Sequence, residues 1–118
     1  MEVNKVVQVM EMKKIGEITA VTILTRVDAN TAKEVEKAMS ELLNGDSKKV
    51  ICDFSLNEYI SSVGLRVFLG FLKTMKKKSG SIVLCSIRPN VREVFNMAGF
   101  TPLFTITETI DEAIKQLT

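Results

Sequence analysis

Apolar residues along the chain fall into short β-branched runs that alternate with stretches of helical spacing. The first two runs, Val3–Met12 and Ile15–Leu24, predict strands of an antiparallel hairpin with Gly16 at the turn. Short apolar runs later in the chain predict three further strands, Lys49–Phe54, Ser81–Ile87 and Leu103–Ile106.

Four segments carry apolar residues at the i, i+3, i+4 spacing of a helix. They begin near Ala32, Ser62, Pro89 and Ile110. The predicted order ββαβαβαβα indicates an α/β fold with a mostly parallel sheet and an antiparallel first strand. Because no linker, repeat or low-complexity segment interrupts this order, we expect a single domain over residues 1–118.

The charge balance and the absence of histidine exclude several classes of function. The formal net charge of the 118 residues is +2, too close to zero to predict binding to nucleic acid or a membrane. Without histidine the chain cannot form a Ser-His-Asp triad, a Cys-His pair or a histidine metal site. We therefore expect no enzyme, no metal site and no cofactor. With no signal peptide or spanning segment in the sequence, we expect a cytoplasmic protein.

The two cysteines, Cys52 and Cys85, each lie within an apolar run. Their separation is too large for a CxxC metal or redox motif. One disulfide between them is conceivable. Two free buried thiols in a reducing compartment are the favoured interpretation.

Three junctions between predicted strands and helices are expected at the carboxyl edge of the sheet, where α/β proteins form sites. They are Thr25–Asn30, Asp53–Gly64 and Ser86–Asn90. Asp28 and Asp53 could together hold a magnesium ion at this edge. The stronger interpretation is that Asp28 caps a helix and Asp53 ends a strand.

Two adjacent serines, Ser61 and Ser62, stand where the second helix is predicted to begin. Most serines at such positions only cap the helix. One hydroxyl is sufficient for a cap, so the other is available for another role. The unpaired N–H groups and the dipole of a helix N-terminus also favour a phosphate there.

The helix that follows is apolar on more than one side. One face carries four residues with core spacing, Phe68, Phe71, Leu72 and Met75. Leu65, Val67 and Leu69 lie largely off that face. Because one sheet in a small domain is not expected to cover every side of a helix, the first two turns predict a protein-binding surface.

The stretch CDFSLNEYISSVGLRVFLGFLK resembles the central segment of STAS domains, specifically of the bacterial anti-sigma-factor antagonists. That family has a strand ending in Asp–Leu/Phe–Ser and then an Asp–Ser–Ser/Ala–Gly–Leu turn that opens a helix. RVDANTA and CSIRPNVREVFNMAGFTPLFTITETIDEAI are also similar to family segments. The likeness covers essentially the whole chain and implies the STAS fold, in agreement with the predicted element order.

The resemblance implies a switch without enzymatic activity. Such antagonists bind an anti-sigma factor, usually a serine kinase, and thereby release a sigma factor for transcription. The kinase phosphorylates one serine of the antagonist, and the phosphorylated form dissociates. Alignment on Gly64 and Leu65 places this serine at Ser62. A phosphatase is a further candidate partner.

Three positions depart from the family pattern, and one of them is Thr25, which stands where the upstream segment normally has glycine. Ser61 replaces the acidic residue that normally precedes the phosphorylated serine, and Val63 replaces the small residue that follows it. Ser61 is therefore a second candidate phosphorylation site. We expect the partner-binding surface to comprise Asp28, Asp53, Ser61, Ser62, Val63, Gly64, Leu65, Arg66 and Leu69.

Two alternatives remain open from the sequence. STAS-like domains also act as sensors of small ligands or nucleotides, which requires a pocket with convergent polar groups. Such a pocket would be lined by Thr25, Asp28, Asp53, Ser61 and Ser62. The second alternative is a scaffold-type interaction domain that is not regulated by phosphorylation.

Overall fold

The computed structural model describes residues 5–7, 9–43, 45 and 47–118, which contain one sheet of six strands in sequential order. The strands are β1 (Lys5–Val7), β2 (Met10–Ile15), β3 (Ile18–Ile23), β4 (Lys49–Asp53), β5 (Ser81–Cys85) and β6 (Thr105–Thr107). The first three strands pair antiparallel, and β3 through β6 pair parallel. The predicted fold class, an α/β domain with a mostly parallel sheet and an antiparallel first strand, is confirmed, although the antiparallel part comprises two pairings, β1–β2 and β2–β3.

Helices connect or follow the parallel strands, as the alternating pattern predicts. They are α1 (Ala32–Leu43), α2 (Ser62–Lys77), α3 (Pro89–Met97) and α4 (Ile110–Leu117), with a short 3-10 turn over Thr101–Leu103. All four predicted helix starts are confirmed. Within the described residues, none of the helices combines the length and hydropathy needed to cross a membrane.

The N-terminal segment differs from its prediction. Val3–Met12 was expected to be one strand, but Val7 pairs with Met10, so the chain reverses between β1 and β2. Residues 1–4 and 8 lie outside the described part of the chain. No Gly, Pro, Asn or Asp marks this reversal in the sequence, so a β-branched run of this kind does not reveal it.

The last strand is also shifted from the predicted Leu103–Ile106 to Thr105–Thr107. The preceding residues form the 3-10 turn with Pro102 in its first positions. Proline fits there because its φ angle is already helical and the first turn needs no N–H donor.

Both faces of the sheet are covered, which explains the continuous apolar runs of β4 and β5. On one face a large cluster joins the strands to α1, α2 and α3 around three neighbouring rings, Phe54, Phe68 and Phe95, which meet in tilted and edge-to-face arrangements. On the other face Ala113 and Leu117 of α4 pack on the sheet. Alternate residues of each strand therefore enter different layers of the core.

Helix α2 is buried on two sides, because it contacts strand β5 and helix α1. Leu65 is only 1% exposed and Val67 is also buried. The prediction that these side chains belong to a protein-binding surface is wrong, since α1 covers the side of α2 that the sheet leaves open. Leu69 is half-buried and packs against the same core.

Candidate functional site

The β3–α1 loop and the β4–α2 loop lie side by side at the carboxyl edge of the sheet. Val27 forms an isolated parallel bridge with Ile60. The Val27 N–H donates to the Tyr59 carbonyl at 2.9 Å, and the Val27 carbonyl accepts from the Ser61 N–H at 2.8 Å. These bonds fix the point at which α2 begins.

The buried side chain of Asn57 also links the β3–α1 loop and the β4–α2 loop. Its side chain is fully buried, and its Nδ2 donates to the Thr25 carbonyl at 2.8 Å and to the Tyr59 carbonyl at 3.1 Å. Its Oδ1 is buried without a hydrogen-bond partner in the described part of the chain. The sequence pattern did not point to Asn57, because its partner Thr25 is distant in sequence and near only in the fold.

The third predicted junction is attached to the β4–α2 loop by two side chains at the start of α3. Arg88 Nε donates to the Ser55 carbonyl at 3.1 Å, and Asn90 Nδ2 donates to the Glu58 carbonyl at 3.0 Å. All three predicted junctions therefore meet at one edge of the sheet, as expected for an α/β fold.

The two adjacent serines have different environments. Ser61 is the N-cap of α2, with extended backbone, and its Oγ accepts a hydrogen bond from the Gly64 N–H at 3.2 Å. Ser62 is the first residue of the helix and is exposed. Its hydroxyl has no hydrogen-bond partner among the described residues. The structure thus assigns the cap to Ser61 and leaves the Ser62 hydroxyl accessible.

Gly64 is buried at the point where the first turn of α2 lies against the backbone of Val27. A methyl group at this position would lie 2.7 Å from the Val27 carbonyl oxygen and 2.8 Å from a side-chain carbon of Ile60. Only glycine fits such an approach. Gly64 and Leu65 were both expected in the partner-binding surface. Their burial shows instead that they position the helix that carries Ser62.

Several exposed residues lie close to Ser62 along the chain, and we call this group the Ser62 surface. Large apolar side chains are unusually exposed here: Leu56 by 54%, Tyr59 by 38% and Val63 by 44%. Together with Ser62 and the exposed Arg66 they define this surface. Large exposed apolar side chains near an accessible serine hydroxyl are typical of a site for another protein.

Arg26 lies beside this surface, with its guanidinium carbon 4.4 Å from the centre of the Tyr59 ring. Arg26 Nε also lies 3.9 Å from Asp28 Oδ2. The stacking holds the Tyr59 ring against the β3–α1 loop and adds a positive charge at the margin. Neither Arg26 nor Tyr59 was among the predicted site residues.

The predicted site carboxylates, Asp28 and Asp53, each form a hydrogen bond within their own loop. Asp28 Oδ1 accepts from the Asn30 N–H, and Asp53 Oδ1 accepts from the Ser55 N–H, each at 2.9 Å. Among the described residues, no three Cys, Asp or Glu side chains come together as metal ligands could. With the Ser61 cap, three of the five groups expected to line a ligand pocket are already bonded to backbone amides.

Both cysteines are free and buried, on opposite faces of the sheet. Burial raises the pKa of the Cys85 thiol to about 11, and the nearby Asp53 charge adds to this rise. Burial also raises the pKa of Cys52. Since the thiolate is the reactive form, neither residue is suited to nucleophilic or redox chemistry.

Comparisons with known proteins identify the family of this chain. The family model for the STAS domain matches residues 9–113. A Bordetella bronchiseptica protein that carries the name anti-sigma factor antagonist BtrV is 31% identical over 104 residues, which cover 88% of this chain and 90% of that protein.

Two solved proteins share the fold. The crystal structure of the protein TM1081 from Thermotoga maritima superimposes with a TM-score of 0.86 at 23% identity, covering 92% of this chain and 94% of that one. The Bacillus protein SpoIIAA has been solved unphosphorylated, with a TM-score of 0.77, and phosphorylated, with 0.70. Both forms are 20% identical and match 92% of this chain, over 95% and 99% of theirs. The match of the family model over residues 9–113 shows that the chain belongs to the STAS domain family.

Proposed function

We propose that this protein is an anti-sigma-factor antagonist that binds its anti-sigma factor through the Ser62 surface. The observation that carries the proposal is the division between the serines, in which Ser61 caps α2 and the neighbouring Ser62 is exposed with a free hydroxyl. The relative from Bordetella, which matches most of the chain, carries the name of this function.

Ser62 is the phosphorylation site of the switch. A kinase needs a serine whose hydroxyl can enter its active site, and Ser62 meets this requirement without any change in the helix. Phosphorylation of Ser61 would instead replace the Gly64 hydrogen bond and disturb the start of α2. The accessible hydroxyl therefore favours Ser62 over its neighbour.

The transfer needs a catalytic base that this chain does not supply. The Ser62 oxygen attacks the γ-phosphorus of ATP, the new O–P bond forms, and the bond to the ADP leaving group breaks. The hydroxyl proton must pass to a base on the partner, because the chain contains no histidine and the Ser62 hydroxyl has no side-chain partner in the described part. In this proposal the anti-sigma factor is a serine kinase that supplies the base, and a phosphatase restores the free hydroxyl by hydrolysis.

The phosphorylated protein remains folded. A phosphate at the first position of α2 meets the positive end of the helix dipole, which favours it by about 0.3–1 kcal/mol. Arg66 follows Ser62 by four residues, so its guanidinium can reach the phosphate on the same helix face. The first turn of α2 contains no acidic residue that would repel the phosphate.

Binding is lost because the phosphate stands among apolar contact groups. It adds about −1.5 to −2 charges next to Val63 and close to Leu56 and Tyr59 along the chain. A partner that covers these side chains must remove water from the phosphate. A penalty of only ~3 kcal/mol lowers the affinity about a hundredfold.

Affinity capture from the source organism tests the proposal. Wild-type protein and Ser62→Ala are expected to retain an anti-sigma factor with a kinase domain, whereas Ser62→Asp is expected to lose it. Mass spectrometry of protein incubated with this partner and ATP is expected to find phosphate on Ser62. Recovery of the same partner by Ser62→Asp, or phosphate found only on another residue, would overturn the switch.

A further inference from the structure

A basic cleft lies at the amino edge of the parallel strands, opposite the Ser62 surface. It has a volume of about 530 Å³ and separates the β2–β3 turn from the segment that leads into β4. Its lining residues are Lys14, Gly16, Glu17, Ser47, Lys48 and Lys49. Ser62 follows the carboxyl end of β4, whereas this cleft lies at the amino end of that strand, so the two sites are separate.

Among the described residues that line the cleft, positive charges outnumber negative charges. Three of the lining residues are lysines and one is a glutamate. Lys49 Nζ lies 3.9 Å from Glu17 Oε2, but the Glu17 side chain is 90% exposed, so this pair is weak. The ammonium group of Lys48 has no partner among the described residues, which do not include Asp46.

Two hydroxyl groups, one on the lining residue Ser47 and one on the buried Thr19, form a hydrogen-bond network with Lys14. Thr19 is 3% exposed, and its Oγ1 accepts from Lys14 Nζ at 3.1 Å. The same oxygen shares a hydrogen bond of 2.9 Å with Ser47 Oγ. This network holds the Lys14 ammonium over the cleft and ties its two walls together.

The backbone that carries Lys48 is fixed by strand β5. The Ser81 N–H donates to the Lys48 carbonyl at 2.7 Å. A methyl group at Gly80 would lie 2.9 Å from the same oxygen, so glycine permits this close contact. The lysine side chains therefore extend from a rigid base, and a ligand does not have to order the backbone.

We propose that this cleft is a second binding site, which takes a small anion with two or more phosphate groups. Clustered lysines bind phosphates as point charges, and the Ser47 hydroxyl in the lining can donate to a further oxygen. The volume exceeds that of one phosphate and lies in the range of small-molecule sites. None of the six lining residues is aromatic, so a nucleoside base has no ring to stack on.

Titration of the ¹⁵N-labelled full chain with sodium pyrophosphate at low ionic strength tests this site. Saturating shifts are expected for the amides of residues 14–19 and 47–49. ATP is expected to shift the same amides, and adenosine is expected to shift none of them. Sodium chloride at matched ionic strength distinguishes binding from general screening.

Two variants with the same change in charge locate the binding. Lys48→Gln is expected to weaken the pyrophosphate affinity about tenfold, the loss of one charge-assisted contact. Lys33→Gln, in the first turn of α1 at the opposite edge, is expected to leave it unchanged. Both lysines are exposed, so both variants fold.

Shifts that sodium chloride reproduces, an equal response to adenosine, or equal losses in the two variants would overturn the site. The measurement contains no protein partner. A negative result therefore leaves the proposed role of Ser62 untouched.

Discussion

Ser61 accepts a hydrogen bond from the backbone N–H of Gly64 at 3.2 Å, and this bond separates the roles of two adjacent serines. The hydroxyl that caps α2 is committed to the fold. The hydroxyl of Ser62, one residue later, is exposed and not needed for the helix start. Stability and regulation can therefore be tested separately by substitutions at neighbouring positions.

Removal of the two hydroxyls should have unequal effects on stability. Ser61→Ala is expected to lower the free energy of unfolding by about 1 kcal/mol, because one N–H of the first turn of α2 loses its acceptor. Ser62→Ala should change it by less than about 0.5 kcal/mol, as for other exposed positions. Urea unfolding of both variants measures the difference. Equal losses would contradict the assignment of the cap.

Substitution by alanine should change the stability of the fold in opposite directions at two glycines of α2, Gly64 and Gly70. Gly64→Ala places a methyl group 2.7 Å from the Val27 carbonyl and should destabilise the fold by about 1–3 kcal/mol. Gly70 is exposed, and a methyl group there meets no atom within 4 Å. Gly70→Ala should therefore stabilise the fold by about 0.5–1 kcal/mol. Thermal unfolding checks both values, and a stabilising Gly64→Ala would disprove the close approach.

The buried side-chain amide of Asn57 should contribute more to the free energy of unfolding than the exposed side-chain amide of Asn90. Asn57→Ala leaves the Thr25 carbonyl without this donor and is expected to cost about 1–3 kcal/mol. Asn90→Ala removes an exposed bond to the Glu58 carbonyl and should cost less than about 0.5 kcal/mol. Denaturant unfolding compares the two. Hydrogen exchange at the Val27 amide should accelerate only in Asn57→Ala, and unchanged exchange would argue against a joining role for Asn57.

Substitutions at Val63 and Leu65 should have different effects, the first on partner affinity and the second on stability. Val63 is exposed at the start of α2, where a carboxylate suits the helix dipole, so Val63→Glu should fold normally. It should weaken binding to the anti-sigma factor about tenfold or more, since a charge enters an apolar contact. Leu65→Ala should instead destabilise the fold by about 2–5 kcal/mol and leave the affinity of the folded protein unchanged. The reverse pattern would place the contact surface elsewhere.

The parts of the fold that depend on local chemistry were predictable from the sequence. Helix starts follow from capping residues and proline, as at Thr109, whose Oγ1 accepts from the Glu112 N–H at 3.2 Å, and at Pro89. The buried strands follow from their apolar runs. The reversal between β1 and β2 has no such marker, so it was missed.

The parts that depend on tertiary neighbours were not predictable. Leu65 and Val67 lie off the main apolar face of α2, and only the position of α1 shows that they are covered. Asn57 acts through a carbonyl that is distant in sequence. For Ser61 and Ser62, the sequence showed that one hydroxyl would be free. The family resemblance already favoured Ser62, and the hydrogen bond from the Gly64 N–H to Ser61 supports that choice.

Isothermal titration calorimetry with the captured anti-sigma factor tests the central claim most directly, by comparing Ser62→Asp with Ser61→Asp. The two variants add the same charge at adjacent positions, and aspartate at position 61 can still cap α2. Ser61→Asp is predicted to bind like wild type, and Ser62→Asp about a hundredfold more weakly. Equal affinities of the two variants would contradict a switch at Ser62.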